Sequence, residues 1–153
     1  MPSKITVEKD VLFHSDLDTV HKVLLDTGNY PQYVQNITSA KVLSQEQHDS
    51  EVSFKAKLSF FSFEYSIKTT KISENHIVFE QRKGFFSLLN GEWRLKEVDG
   101  NDVNNGKVEG KYIVNVTLPP LVAGRIVKKA INLYFPSMLN DFKDEIERRF
   151  KEG

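Results

Sequence analysis

The sequence contains no cysteine. That absence excludes a disulfide scaffold, a thiolate zinc site, an iron–sulfur cluster and a cysteine nucleophile, and it suits a reducing compartment. Net charge is missing as well, since 21 Lys and Arg balance 21 Asp and Glu. No long-range field draws in nucleic acid, and only a local patch can attract an anionic surface. No apolar run approaches the roughly 18 residues of a membrane span, and the opening Met1-Pro2-Ser3-Lys4-Ile5-Thr6-Val7 has no signal-peptide core. A cytoplasmic protein forming one domain over residues 1–153 is the expectation.

Motifs for the commoner chemistries are absent too. There is no Gly-x-Ser-x-Gly, and Gly84 and Gly91 do not make a phosphate loop. His14, His21, His48 and His76 lack ligand spacing, so neither a metal nor a cofactor is expected. The acids cluster as Asp16 with Asp18, Asp99 with Asp102, and Asp141 with Asp144 and Glu145. These are cap, turn and helix-surface contexts, where carboxylates stay solvated. General acid–base work needs burial or a close partner, so no catalytic residue is nominated.

What the chain does have is rings: 11 Phe, 5 Tyr and one Trp. They follow a period of two. Val52, Phe54, Ala56, Leu58 and Phe60 alternate with polar residues, as do Phe63, Tyr65, Ile67 and Thr69, then Trp93 and Leu95, then Tyr112, Val114 and Val116. Turn residues separate these runs at intervals of about ten, which predicts strands at Ser39–Gln45, Glu51–Phe60, Phe63–Ile72, His76–Lys83, Leu89–Val98 and Gly106–Val116. An earlier strand runs from Ile5 to Phe13. Ser15 or Asp16 then caps a short helix that Gly28 ends, and Pro31 starts a second.

Pro119 and Pro120 stop the last strand and open a long helix. Its apolar stripe reads Val122, Ile126, Ala130, Leu133, Leu139, Phe142 and Ile146, with a kink expected near residues 132–136 because Pro136 removes a backbone donor. A sheet with one apolar face needs a cover, and this helix is the only element long enough. The prediction is an α+β helix-grip fold: a curved antiparallel sheet of about seven strands wrapped around the C-terminal helix, with two short helices after strand 1. Incomplete closure leaves an apolar cavity.

Three stretches resemble the START-like (SRPBCC) superfamily, and within it the polyketide cyclase/dehydrase and lipid-transport family, which includes coenzyme Q-binding START-like proteins. They are Leu24–Val34 around Tyr30-Pro31, Phe86–Leu95 around Gly91-Glu92-Trp93, and Leu118-Pro119-Pro120-Leu121 leading to the helix ending Phe142–Arg148. The resemblance implies a site for a lipid, isoprenoid quinone or polyketide between sheet and helix. It also keeps open an aromatase/cyclase acting on a polyketide-like substrate, or a partner-binding protein resembling the ribosome-association toxin group.

The candidate ligand-binding residues are therefore Phe54, Phe63, Tyr65, Phe79, Gln81, Trp93, Tyr112, Ile126 and Leu133. Tyr65, Gln81 and Tyr112 are the expected polar anchors for a carbonyl, hydroxyl or quinone oxygen. Arg125 and Lys129, with Lys128, form a basic cluster early in the closing helix. A carrier meets bilayers, so a transient headgroup or membrane-surface contact is expected of Arg125 and Lys129.

Overall fold

The computed structural model describes residues 4–58, 60–98, 106–120 and 124–153. Val122 and the turn residues Asp99–Asn105 lie outside them. The elements are β1 (Lys4–Phe13), α1 (Leu17–Leu24), a 3-10 turn (Thr27–Gln32), β2 (Ile37–Gln45), β3 (Asp49–Lys57), β4 (Ser62–Ser73), β5 (His76–Gly84), β6 (Leu88–Val98), β7 (Lys107–Thr117) and α2 (Arg125–Glu152). All seven strands join one antiparallel sheet in the order β1-β7-β6-β5-β4-β3-β2. Only the step from β1 to β7 spans distant sequence, because the short connections elsewhere favour neighbouring antiparallel strands.

Period-two patterning decides which face is dry. Val52, Phe54 and Ala56 of β3, Phe63, Tyr65 and Ile67 of β4, Trp93 and Leu95 of β6, and Tyr112, Val114 and Val116 of β7 are all buried in one core with the inner face of α2. Phe60 breaks the pattern. Strand β3 ends at Lys57, so Phe60 belongs to the connection and is 52% exposed.

Local signals fix the ends of the short elements. Asp16 caps α1 by accepting the Thr19 N–H at 2.9 Å. Gly28 does not end that helix; it falls in the following 3-10 turn, which also contains Pro31. Nor do Pro119 and Pro120 sit in the long helix, which starts at Arg125 behind Gly124. Pro136 does not interrupt α2. Ile131, Tyr134 and Phe135 before it share one inward face with Met138, Leu139, Phe142 and Ile146 after it.

Two carboxylates anchor the later half of α2. Asp141 accepts the backbone N–H of Gln35 at 3.0 Å, and Glu147 accepts that of His14 at 2.9 Å. Charge-assisted bonds of this kind are the stronger ones. The first two turns differ: Arg125, Ile126, Lys128 and Lys129 are exposed, and Val127 and Ala130 are only half-buried. Those two pack against the core, and full burial begins at Ile131.

Candidate functional site

The concave face and α2 enclose a cavity of about 30 Å³, room for one or two waters. Phe54, Tyr65, Phe79, Trp93 and Tyr112 line it from the sheet, so five of the nine candidate ligand-binding residues meet there. Phe135, Met138 and Phe142 close it from α2, and Leu24 and Tyr30 close it from the α1 side. The rings touch one another, with Trp93 and Tyr112 at 4.4 Å between centroids and Tyr30 stacked on Phe54 at 5.6 Å. Ligand cavities usually run to several hundred Å³, so a ring-sized guest enters only if these walls give.

The polar atoms of this wall are the phenols of Tyr30, Tyr65 and Tyr112, the Thr69 hydroxyl and the Trp93 indole N–H. The Tyr65 and Tyr134 hydroxyls bond each other at 2.7 Å across the interface between β4 and α2. Whichever donates, the other keeps a free O–H. Tyr112 is 2% exposed and has no hydrogen-bond partner among the described residues. Tyr112 itself lines the cavity. Tyr30 is committed elsewhere, donating to the Leu24 carbonyl.

Burial pushes the phenols of Tyr30, Tyr65, Tyr112 and Tyr134 well above the ordinary tyrosine range, because an anion there has lost its water. All four stay neutral at physiological pH and act as O–H donors. Nothing charged lines the cavity among the described residues.

Four candidates lie elsewhere. Phe63 is one layer out, packed against Tyr134 at 5.4 Å and Phe86 at 5.5 Å. Gln81 is not a ligand anchor: its amide donates to the Phe86 carbonyl at 2.8 Å and accepts the Phe86 N–H at 3.2 Å, which uses both ends. Ile126 and Leu133 are 69% and 63% exposed and point away from the sheet. The stripe drawn through them is out of phase with the buried one, which runs through Val127, Ala130, Ile131 and Tyr134 on the opposite side of the helix. Arg125 and Lys129 are exposed in the first turns of α2 and make no ion pair among the described residues.

Sequence reasoning missed Tyr134, Phe135 and Met138. The signal was present as a second apolar series, Ile131, Tyr134, Phe135, Met138 and Phe142, at steps of three and four. The histidines serve other ends: His21 Nε2 bonds the Glu74 carbonyl at 2.7 Å and His76 pairs with Glu92 at 2.7 Å, tying α1 to a turn and β5 to β6. Among the described residues no cluster of three or more His, Asp or Glu is placed to hold a metal, and no helix is long and apolar enough to cross a membrane.

No curated protein sequence matches this chain. Solved structures do match in fold. The Zhui aromatase/cyclase from Streptomyces sp. R1128 superposes with a TM-score of 0.80 at 18% identity, covering 96% of both chains. A START superfamily protein from Mycobacterium smegmatis gives 0.73 at 16% identity over 96% of this chain and 97% of its own. The major latex-like protein 151 from Panax ginseng gives 0.65 at 15% identity, with the same coverage. At these identities the likeness establishes a START-like helix-grip fold. The family model for polyketide cyclase / dehydrase and lipid transport matches residues 15–143, which spans the cavity-lining rings, the phenols and the closing helix as far as Lys143. The chain belongs to the polyketide cyclase/dehydrase and lipid-transport family.

Proposed function

We propose that the protein binds a neutral, ring-bearing hydrophobic molecule with a carbonyl, hydroxyl or quinone oxygen, and holds it unchanged. The observation that carries this reading is an uncharged wall of aromatic rings holding the phenol of Tyr65, paired with Tyr134 behind it, and that of Tyr112, which has no partner among the described residues. Two free O–H groups suit one acceptor oxygen. A carboxylate or phosphate is disfavoured, since burying an anion without a paired cation costs several kcal/mol. Apolar contact supplies the affinity, at about 25 cal/mol per Å² buried. The lining groups keep one protonation state through the physiological range, which supports holding a ligand over converting it.

Mass spectrometry of an organic extract of the protein, purified from its own cells, tests this. The expected result is a stoichiometric neutral compound built of carbon, hydrogen and oxygen. A fatty acid or phospholipid in its place contradicts the reading.

Carriage of such a ligand between bilayers accounts for the outer face of α2, where Arg125, Lys128 and Lys129 accompany the exposed Ile126 and Leu133. Cations near an anionic leaflet contribute about 1 kcal/mol each. Reversing Arg125 and Lys129 to glutamate is expected to lower co-sedimentation with phosphatidylserine vesicles by about tenfold or more. Unchanged co-sedimentation removes the membrane contact from the account.

A further inference from the structure

The sheet is not closed along its whole length. Strands β5 and β6 pair only from His76 with Arg94 to Glu80 with Asn90. Beyond that rung they part. Gln81–Gly84 follow β4, where Tyr65 lies opposite Gly84, while Leu88 and Leu89 follow β7, opposite Thr117 and Val116. The connecting residues take the same split, for Phe85 N–H bonds the Glu64 carbonyl and Ser87 N–H bonds that of Thr117. Gly84 has a φ of 141°, a conformation natural to glycine, and a Cβ there would collide with the Tyr65 backbone.

Phe86 fills the gap that results. It is 3% exposed and packs edge-on against Tyr65 at 5.4 Å and against Phe135 at 6.2 Å, two residues of the cavity wall. The Gln81 side-chain amide holds it there through the two bonds to its backbone. That amide stands in for a missing ladder rung, donating and accepting as a peptide group does. Side-chain bonds of this kind each contribute about 0.5–1.5 kcal/mol, less than the cooperative ladder on either side.

We infer that the split between β5 and β6 is the ligand's entrance, with Phe86 as its stopper and Gln81 as the clamp that sets how often it opens. The inference rests on the reading of the cavity as a ligand site. It explains how a cavity of about 30 Å³ admits a ring: lifting the 85–87 connection withdraws Phe86 from behind Tyr65 and Phe135, so that these walls can give, and leaves both flanking strand ladders intact.

Trp93 is the only tryptophan and lines the cavity, so its quenching by acrylamide reads access directly. Loss of two hydrogen bonds in Gln81→Leu is expected to raise the quenching rate constant about tenfold. Amide exchange at Phe86 should accelerate in parallel. Gln81→Glu, which keeps the acceptor and loses the donor, should fall between and serves if the leucine variant does not fold. Phe61→Ala, at the far side of the Phe63 cluster, should leave quenching within about twofold.

The entrance is overturned if folded Gln81 variants quench as the wild type does, or if Phe61→Ala opens Trp93 instead. Equilibrium titration with 1,4-naphthoquinone separates this from the ligand reading. Binding with unchanged access in the Gln81 variants rejects only the entrance, whereas raised access without binding supports the stopper and rejects the ligand reading.

Discussion

Raising the pH is expected to unfold the protein in one steep step between about pH 11 and 12, for a domain of ordinary stability. The cause is the set of buried phenols. Tyr30, Tyr65, Tyr112 and Tyr134 all have pKa values held above the ordinary tyrosine range by loss of water around the anion. The folded chain therefore keeps protons that the unfolded chain releases above about pH 10. Their contribution is intact below that pH and is lost as pH climbs toward the folded values. With four such groups, stability falls by about 5 kcal/mol per pH unit once the unfolded chain is ionised. Tyr33 adds to the slope, since its phenol is raised by burial too.

Absorbance at the phenolate band, followed alongside far-ultraviolet circular dichroism, is the check. Phenolate should appear only as the fold is lost. Phenolate formation well below the unfolding transition means that the hydroxyls reach solvent, and the dry donor site is then wrong.

Phe142→Ala is expected to cost about 3–5 kcal/mol, the usual range for a large aromatic truncated in a core. Phe142 is 2% exposed and touches Tyr30 at 4.9 Å and Trp93 at 6.0 Å. It sits between the α1 side and the sheet, so little can relax into the space it leaves. That space adjoins the existing cavity. The variant should thus recover part of its lost stability when an apolar ring compound is added, by mass action on the folded state. Denaturant melts with and without 1,4-naphthoquinone measure both effects, and a loss below about 1 kcal/mol contradicts the packing described.

Much of this fold is legible in the sequence because alternation along a half-buried strand leaves a period-two record. Phe54, Tyr65, Trp93 and Tyr112 were placed on the inner face by that rule alone. The long helix was harder. Ile126 and Leu133 lie seven residues apart on its outer face, so a stripe begun there runs out of phase with Tyr134 and Met138. Pro136 added to the error, since a proline inside a helix is a reason to stop reading the pattern across it. Gln81 illustrates a different loss. A half-buried amide on a strand reads as a ligand anchor, and only the divergence of β5 from β6 shows that a peptide backbone has claimed it.

The Tyr65–Tyr134 pair was out of reach for the same reason. The two residues are 69 positions apart, and no periodicity links a strand to the facing turn of a helix. On the reading proposed above, that pair and Tyr112 give an apolar pocket a chemical preference, for a neutral acceptor over an anion.

The most direct test of that preference is a titration of Trp93 fluorescence with 1,4-naphthoquinone and, in parallel, with decanoate. The account predicts saturable one-to-one quenching by the quinone, an affinity about 2- to 10-fold weaker in Tyr112→Phe, and no binding of decanoate. Binding of decanoate with no response to the quinone, or a Tyr112→Phe variant that binds the quinone as tightly as the wild type, would contradict it.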